Sequence, residues 1–481
     1  MDMGLWSKWL SVVNQLENAF SRKKTFFWFV LVLIGFTIKF DALGVTSLAR
    51  GVGLLPSYYT SMLHFFTSRA VNLEKLQILW TSVVFKCFSG IVRINGRCVV
   101  AGDGIKIGKE GRKMPGVKWL YQSSESNSKA EHITGHSIQV VALLVQGLST
   151  YFAVPLAGQI HEGLRLGSED TRTLLDKLFE MVVGLRIPEA FYLVLDKYYC
   201  SGKLMKKLAS KNIHIVTMMK RSAVAYQPAM ASKPKKRGRP LKYGTKIKLF
   251  SLFHQEQTWE KTVLPSGVVI EYCRVELFWR PFGGLVLFIL TRHPTKGDAI
   301  VMSTDRTAPS LDLIAVYCLR FKIEVLFKQA VHQIGAFLYR FWIKSIKPRE
   351  RKQRGDQNLE DFTAVLRARI AQKMHAYHVF ILCGLIAQGL LQYLSVHYYK
   401  SVWSSFGSWL RTIRENTLPS EMVTAMAMTR TYDYFLEDEQ HMGIFKKFLV
   451  QKTGYRRSRC TPYDKADDDR VVEKGKYAST G

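Results

Sequence analysis

Cysteine is scarce in this sequence, and none of it is arranged in pairs. The 481 residues contain seven cysteines, an odd number, and no two of them form a Cys-x-x-Cys motif. A secreted disulfide scaffold or a structural zinc cluster needs paired or closely spaced cysteines. The sequence therefore indicates neither kind of site.

The apolar run near the N-terminus is short. It extends from Phe26 to Ile38 and is bounded by Lys23, Lys24 and Lys39. It is too short to cross a bilayer as a helix, and no small-residue cleavage pattern follows it. We interpret it as a buried helix and expect a cytoplasmic protein, with a membrane segment as the alternative that this run leaves open.

Acidic residues are few compared with basic ones. The chain has 38 Asp and Glu against 69 Lys and Arg, a formal charge of +31, while 47% of its residues are hydrophobic. The hydrophobic content is sufficient for packed cores, and the length favours two or three structural units. A basic excess spread along the whole chain favours a polyanionic partner, which indicates nucleic acid.

The periodicity of apolar residues divides the chain. Residues 1–89 have helical spacing, and strand-like segments begin near Ile91. The next segments predict the order β-β-β-α-β-α-β, in which the first three strands form a meander. The predicted strands are 97–103, 137–145, 151–155, 190–196 and 213–219, and the predicted helices are 168–183 and 202–210.

Residues 220–303 interrupt this order with a β-rich insertion. Its predicted strands are 246–253, 268–277 and 285–290. A basic run at 233–240 contains Arg237-Gly238-Arg239-Pro240, which could lie along the minor groove of an A·T tract; a solvated loop attracted to phosphates explains the same run equally well.

Helical spacing returns after the insertion. It runs from Pro309 to Gln329 and, after a charged break at 347–355, through a helical region that we place at 346–450. Residues 451–481 are rich in charge and poor in aliphatic side chains, so we treat them as a tail.

Two aspartates end apolar strands. Asp103 and Asp196 follow the first and the fourth predicted strands, which would lie side by side in a mixed sheet. Their carboxylates could then face one cleft, although an Asp at a strand end is more often a turn former.

A polar stripe on one helix supplies a third acidic residue. Steps of three, four and four residues place Tyr317, Arg320, Glu324 and Lys328 on one helical face. Ordinary surface ion pairs would give the same pattern.

Together these motifs resemble bacterial insertion-sequence transposases with an Asp/Asp/Glu site. The resemblance rests on Gly102-Asp103-Gly104, on Tyr-Leu-Val-Leu-Asp ending at Asp196, and on Tyr317-x-x-Arg-Phe-Lys-Ile-Glu324, preceded by Ser303-Thr304-Asp305. It implies an α/β fold: a ribonuclease-H-like mixed sheet flanked by helices, spanning about residues 90–345, with the β-rich insertion before the glutamate and helical regions at both ends.

The resemblance also implies the chemistry. Asp103, Asp196 and Glu324 would be the catalytic residues and would hold Mg²⁺, for which Mn²⁺ can substitute, while Tyr317 and Arg320 would contact DNA phosphate. The partners would be double-stranded DNA, both element ends and target, and a second copy of the chain in a synaptic dimer. Residues 1–89 would bind the element ends, and the protein would be bacterial and associated with the nucleoid.

One position departs from the family pattern. Val331 stands seven residues after the glutamate, where the family usually carries a lysine that contacts phosphate. Lys328 could replace it, or this chain could be impaired. Trp259 or Trp279 could stack on an unpaired base, as the family's insertion can, but a core role is the stronger expectation for both.

Other functions use the same residues. A metal-dependent nuclease without strand transfer would need the same three carboxylates, and a catalytically inactive relative would keep only the DNA-binding surface. Substitution of an acidic residue distinguishes them, because only an enzyme loses cleavage while it retains DNA binding.

Overall fold

The computed structural model describes most of the chain, namely residues 4–39, 41, 44–122, 130–148, 150–229, 241–264, 267–407, 413–414, 416–437 and 443–454. Arg237 and Arg239, with the rest of the basic run, lie outside the described residues. So does nearly all of the predicted tail.

Fourteen α-helices and fifteen strands are seen in the described residues. The helices are α1 Gly4–Asn14, α2 Lys23–Ile38, α3 Val45–Gly51, α4 Tyr59–Phe66, α5 Leu73–Cys87, α6 Leu174–Gly184, α7 Gly202–Ala209, α8 Ser310–Leu319, α9 Lys322–Gln329, α10 Ala364–His397, α11 Tyr399–Phe406, α12 Glu421–Arg430, α13 Tyr432–Glu437 and α14 Gly443–Thr453. The strands are β1 Arg93–Ile94, β2 Arg97–Gly108, β3 Lys118–Tyr121, β4 His132–Gly147, β5 Thr150–Ile160, β6 Leu164–Arg165, β7 Phe191–Leu195, β8 His214–Met218, β9 Val224–Pro228, β10 Tyr243–Lys248, β11 Glu260–Val263, β12 Val269–Trp279, β13 Gly284–His293, β14 Gly297–Ser303 and β15 Gln357–Asn358.

The centre of the fold is a mixed sheet with the strand order β5-β4-β2-β7-β8. β2, β4 and β5 form an antiparallel meander, while β7 and β8 run parallel to β2. Every residue of β7 is buried, as expected of a strand covered on both faces. This is the ribonuclease-H-like arrangement that the sequence predicted, and helices flank it.

The insertion continues the same sheet. β14 pairs with β8 in antiparallel register, with Ser303 opposite Val216, and β13, β12 and β9 follow outward from β14. The strand predicted for 246–253 is only partly correct, because β10 ends at Lys248 and Leu249–His254 forms a 3₁₀-helix. The insertion is therefore an extension of the central sheet.

The first helix after the meander begins later than predicted. We expected a start at Ser168, but α6 begins after Thr173, which forms a capping box with Asp176. Ser168 instead donates hydrogen bonds to Glu360, and Asp170 pairs with Arg172. Because these polar side chains form hydrogen bonds and an ion pair with other residues, they do not cap a helix.

The apolar run near the N-terminus forms a core helix, as expected. Every residue of α2 from Phe26 to Ile38 is buried, and the helix packs against α10. Within the described residues, α10 alone is long and apolar enough to cross a membrane by length and composition, and 89% of its most apolar window is buried inside the protein. The burial of both helices is typical of a protein core.

A segment without helix or strand, residues 336–355, lies between the π-helical turn that follows α9 and the helix α10; we call it the basic strap. Seven of its residues are Lys or Arg and one is Glu350. Its backbone is fastened to the loop after β2, since Ile343 N–H donates to Lys113 O at 3.0 Å and Arg349 N–H donates to Arg112 O at 2.9 Å. The strap is therefore held in place although it has no regular structure.

Lys109 fastens the start of the strap. Its buried ammonium donates to the backbone oxygens of Phe337 and Tyr339 and lies 3.9 Å from the centre of the Tyr339 ring. Burial, followed by the charge of Arg340, lowers the pKa of Lys109 to about 7. Part of the hydrogen-bond energy is therefore offset by the cost of burying the charge.

Replacing Lys109 by methionine is expected to reduce the free energy of unfolding by about 1–3 kcal/mol, because two buried carbonyls lose their donor. Equilibrium unfolding in urea at pH 7 measures this. Lys211→Met, at an exposed lysine, serves as the control and is expected to change stability by less than about 0.5 kcal/mol. Equal effects of the two substitutions would contradict the proposed fastening role.

Candidate active site

The two aspartates lie on neighbouring parallel strands at the same level of the sheet. Gly102 of β2 is the register partner of Leu195, the last residue of β7. Asp103 follows Gly102 within β2, and Asp196 follows the end of β7. The parallel pairing of two apolar strands thus brings Asp103 and Asp196 to one edge, as the sequence predicted.

The glycines around Asp103 are explained by close packing. A Cβ atom at Gly102 would lie 2.8 Å from a methyl carbon of Leu195, and one at Gly104 would lie 3.3 Å from the hydroxyl of Tyr199. The N–H of Gly104 also donates to Asp103 Oδ1 at 2.8 Å. The Gly-Asp-Gly motif therefore lets β7 and the residues after it approach the carboxylate closely.

Arg320 connects the helical motif to Asp103 of β2. Its guanidinium donates through Nη1 to Asp103 Oδ2 at 3.2 Å and through Nη2 to Glu324 Oε1 at 2.9 Å. It lies 6.0 Å from the centre of the Tyr317 ring. α8 and α9 are separated by a short turn at Arg320 and Phe321, whose backbone angles remain helical. The predicted alignment of Tyr317, Arg320 and Glu324 is thus preserved.

One nitrogen of the Arg320 guanidinium forms no hydrogen bond with the described residues. Its Nε is buried and has no hydrogen-bond partner among the described residues. A buried donor without an acceptor costs about 1–3 kcal/mol. A phosphate oxygen is an acceptor suited to a guanidinium, so this nitrogen marks a position where a phosphate would be favoured.

The charges of the acidic residues act on one another. Burial raises the pKa of Asp103 to about 6; the Gly104 N–H and Arg320 oppose this rise, and the carboxylates of Asp196 and Glu324 add to it. Burial likewise raises the pKa of Tyr317 to about 12, with Arg320 opposing and Asp196 adding. The five residues therefore share one electrostatic environment that contains more carboxylates than cations.

A divalent cation suits this environment. Three carboxylates offer hard oxygen ligands of the kind that Mg²⁺ and Mn²⁺ prefer. Burial, with a smaller contribution from Asp196 and Glu324, raises the pKa of Asp103, so a bound cation would stabilise its ionised form. In the conformation described, Arg320 lies between Asp103 and Glu324, and no three acidic, histidine or cysteine side chains of the described residues are grouped closely enough to enclose an ion. The carboxylate oxygens fit a divalent metal ion. In this conformation the guanidinium of Arg320 supplies the positive charge that such an ion would supply.

Two further residues position Asp103, and the sequence motifs did not identify them. Gln139 of β4 donates to the backbone oxygen of Asp103 at 2.9 Å, and the hydroxyl of Tyr199 donates to Gln139 Oε1 at 2.9 Å. Gln139 is fully buried. Gln139 is the one polar residue of the stretch 138–145 in β4, and this was the available signal because a buried amide needs hydrogen-bond partners.

Asp305, which belongs to the sequence motif, lies elsewhere. Its carboxylate accepts hydrogen bonds from Tyr192 and Asn95, near the start of β7 and therefore at the opposite edge of the sheet. Burial alone would raise the pKa of Asp305, but the hydrogen bonds from Tyr192 and Thr307 hold it well below its usual range. Asp305 thus ties the loop between β14 and α8 to β7.

The remaining predicted contacts have different surroundings. Lys328 is exposed one turn beyond Glu324, and Val331 packs partly buried against the core in a π-helical turn, Ala330–Ile334. In the insertion, Trp279 is buried and Trp259 is enclosed by Phe253 and by Arg292, whose guanidinium lies 3.8 Å from the ring. Both tryptophans have the core role that we expected.

Fold and site together define a class: a ribonuclease-H-like protein whose sheet edge brings together an Asp/Asp/Glu set and an arginine. A comparison with family models identifies the family. The model described as DDE superfamily endonuclease matches residues 15–274, slightly more than half of the chain, and the chain belongs to that family. The matched residues include Asp103 and Asp196 and end before Glu324. The resemblance to enzymes with an Asp/Asp/Glu site is therefore confirmed.

Other comparisons add less. A search of curated proteins finds no significant match. Among solved structures, the chain is similar to a piggyBac transposase in a synaptic complex with hairpin DNA, seen by cryo-electron microscopy. The sequence identity is 12% and the TM-score 0.33, over 96% of this chain and 85% of that one. A similarity this low carries no argument about fold or function.

Proposed function

We propose that this protein is a transposase that binds the ends of a mobile DNA element, cleaves phosphodiester bonds with a divalent metal and joins the released 3′ ends to target DNA. The observation that carries the proposal is the convergence of Asp103, Asp196 and Glu324 around Arg320 at one edge of the sheet. Membership of an endonuclease family supports the cleavage step.

The acidic residues would hold Mg²⁺, with Mn²⁺ as a substitute. When bound, two such ions activate the attacking oxygen and stabilise the leaving oxygen of an in-line displacement. Asp103 is the most central of the three ligands, since it lies beside Asp196 in the sheet and shares Arg320 with Glu324. Because its pKa is raised, ionised Asp103 is more stable beside a bound cation than without one.

Arg320 would transfer its hydrogen bonds to the substrate. In the described conformation its two Nη groups contact carboxylates and its Nε has no partner. A scissile phosphate can accept two parallel hydrogen bonds from the guanidinium group of Arg320. Asp103 and Glu324 would then lose their hydrogen bonds to Arg320 and would be free to bind the metal. Tyr317, beside Arg320, would contact the same phosphate, and Lys328 and the basic run with Arg237 and Arg239 would contact DNA further away.

The partner would be double-stranded DNA, and two copies of the chain would pair the element ends. A nuclease without strand transfer remains the alternative function, because the acidic set supports both reactions. The two differ in one product, since only a transposase joins the 3′ end of the element to a second DNA molecule.

The test uses a labelled duplex that carries the inverted repeats flanking the gene, together with supercoiled plasmid as target. Wild-type protein with Mg²⁺ or Mn²⁺ is expected to give nicked and joined products, and Ca²⁺ is expected to give neither. Glu324→Gln should lower cleavage at least about a hundredfold because a metal ligand is lost, while Glu74→Gln, at an exposed helical glutamate, should cleave like the wild type.

Two results would contradict the proposal in different ways. Nicks without joined products would indicate the nuclease. Full activity of Glu324→Gln would remove the proposed site.

A further inference from the structure

A groove that the acidic set does not use lies across the first turns of α10. Two adjoining cavities form it and share Arg369 and Gln372; one opens toward Arg69, and the other toward the basic strap. We call it the α10 groove, and the residues that matter in it are Arg69, Trp342, Lys344, Arg369, Gln372 and Lys373.

The groove is positively charged. Arg69, Lys344, Arg369 and Lys373 line it, and none of its lining residues is acidic. None of the four forms a salt bridge to a residue that the structure describes, and three of them are exposed, Lys373 being half-buried. Arg369 donates to Ser345 Oγ at 3.0 Å and Lys373 lies 5.8 Å from the centre of the Phe341 ring, but neither contact neutralises charge. Cations that lack acidic partners and share one groove favour a polyanion.

An exposed tryptophan stands at one end of this groove. Trp342 is 62% exposed, whereas the other eight tryptophans among the described residues are buried or half-buried. Exposure of so large an apolar ring is unfavourable unless a partner covers it.

The neighbours of Trp342 hold it in place. Phe341 stacks against Tyr377 with an interplanar angle of 8°, and Ile343 is buried with its N–H bonded to Lys113 O. The backbone on both sides is anchored, so the indole is presented outward from a fixed position. A fixed aromatic ring loses little entropy when it binds a planar partner.

We propose that the α10 groove binds single-stranded DNA, with an unpaired base stacked on Trp342 and the phosphates along Lys344, Arg369, Lys373 and Arg69. Stacking on an aromatic side chain beside a basic track is the usual way in which proteins bind unpaired strands. A duplex would satisfy the cations but would keep its base faces covered, which would leave Trp342 exposed. The proposal takes from the proposed function only that the polymer is DNA.

The experiment measures binding of the full chain to a fluorescent 20-nucleotide oligo-dT and to a 20-base-pair duplex, by anisotropy in EDTA so that no cleavage occurs. Trp342→Ala is expected to weaken oligo-dT binding about tenfold, with duplex affinity changed less than about twofold. Trp342→Phe keeps an aromatic face and is expected to retain most of the affinity. Tyr434→Ala removes a 47% exposed aromatic outside the groove and is the control.

The charges are tested separately. Lys344→Ala combined with Arg369→Ala is expected to lower the slope of log affinity against log salt by about 1.4 for oligo-dT, because each phosphate contact on a single strand contributes about 0.7. The charge-matched control combines Lys211→Ala with Lys400→Ala, two exposed lysines outside the groove.

The outcomes separate this proposal from the proposed function. Unchanged oligo-dT binding by Trp342→Ala, or an equal loss for oligo-dT and duplex, would overturn the single-strand proposal. A wild-type protein that cuts no DNA but binds oligo-dT through Trp342 would contradict only the proposed function.

Discussion

Asparagine at position 103 is expected to lower DNA cleavage by at least about 10⁴-fold and to leave DNA binding nearly unchanged. The amide is isosteric with the carboxylate, and its single oxygen can still accept one of the two hydrogen bonds that Asp103 accepts from Gly104 and Arg320. It cannot supply the negative charge that the proposed metal ligand would provide. Cleavage of labelled duplex in Mg²⁺ and binding in Ca²⁺ measure the two effects; parallel loss of both would instead indicate misfolding.

The same substitution has a second, independent effect on stability. The pKa of Asp103 is about 6 in the folded protein against an ordinary value of 3.8, so its ionised form is disfavoured by folding. The wild type should therefore lose stability as the pH rises from about 4 to above 6, and Asp103→Asn should lack this loss.

In the absence of divalent ions, we expect Asp103→Asn to be more stable than the wild type by about 1–3 kcal/mol at pH 7.5 and by little at pH 4.5. Thermal unfolding at both values measures the difference. Asp298→Asn, at an exposed carboxylate, is the control and should show no such trend. A difference that is the same at both pH values would contradict the raised pKa.

Alanine at position 320 is expected to lower cleavage about a thousandfold, and lysine about a hundredfold, because lysine keeps the charge and loses the fork. Arg320 also neutralises Asp103 and Glu324 while substrate is absent. Its removal leaves these carboxylates without that cation, so Mg²⁺ should stabilise Arg320→Ala against thermal unfolding more than it stabilises the wild type.

Arg306→Ala provides the control for this experiment. Arg306 pairs with Glu276 in the insertion, away from the acidic set. Its removal should alter neither cleavage nor the stabilisation by Mg²⁺ beyond about twofold. If Arg320→Ala responded to Mg²⁺ less than the wild type, Arg320 would be needed to organise the metal ligands, and the proposed exchange of partners would be wrong.

The sequence predicted the parts of the site that depend on local patterns. A buried parallel strand is a short apolar run, so the ends of β2 and β7 could be located from composition, and Asp103 and Asp196 with them. Helical spacing located Tyr317, Arg320 and Glu324 on one face. These predictions needed only neighbours along the chain.

The features that the sequence did not predict depend on contacts between distant segments. Gln139 and Tyr199 support Asp103 from two other elements, and a polar residue within an apolar stretch of β4 does not indicate which distant segment it will contact. Ser168 has the composition of a helix cap but bonds to Glu360, almost two hundred residues away. Tertiary partners overrode local preference at such positions.

Continuity between the insertion and the catalytic sheet has a mechanical consequence. β14 is hydrogen-bonded to β8, and Thr217 of β8 donates to the backbone oxygen of Asp196 at 3.1 Å. Packed strands resist bending in their own plane, so a force applied to the far end of the insertion is transmitted as a tilt of the whole sheet. A tilt of the insertion would therefore move Asp196, the residue that we propose as a metal ligand.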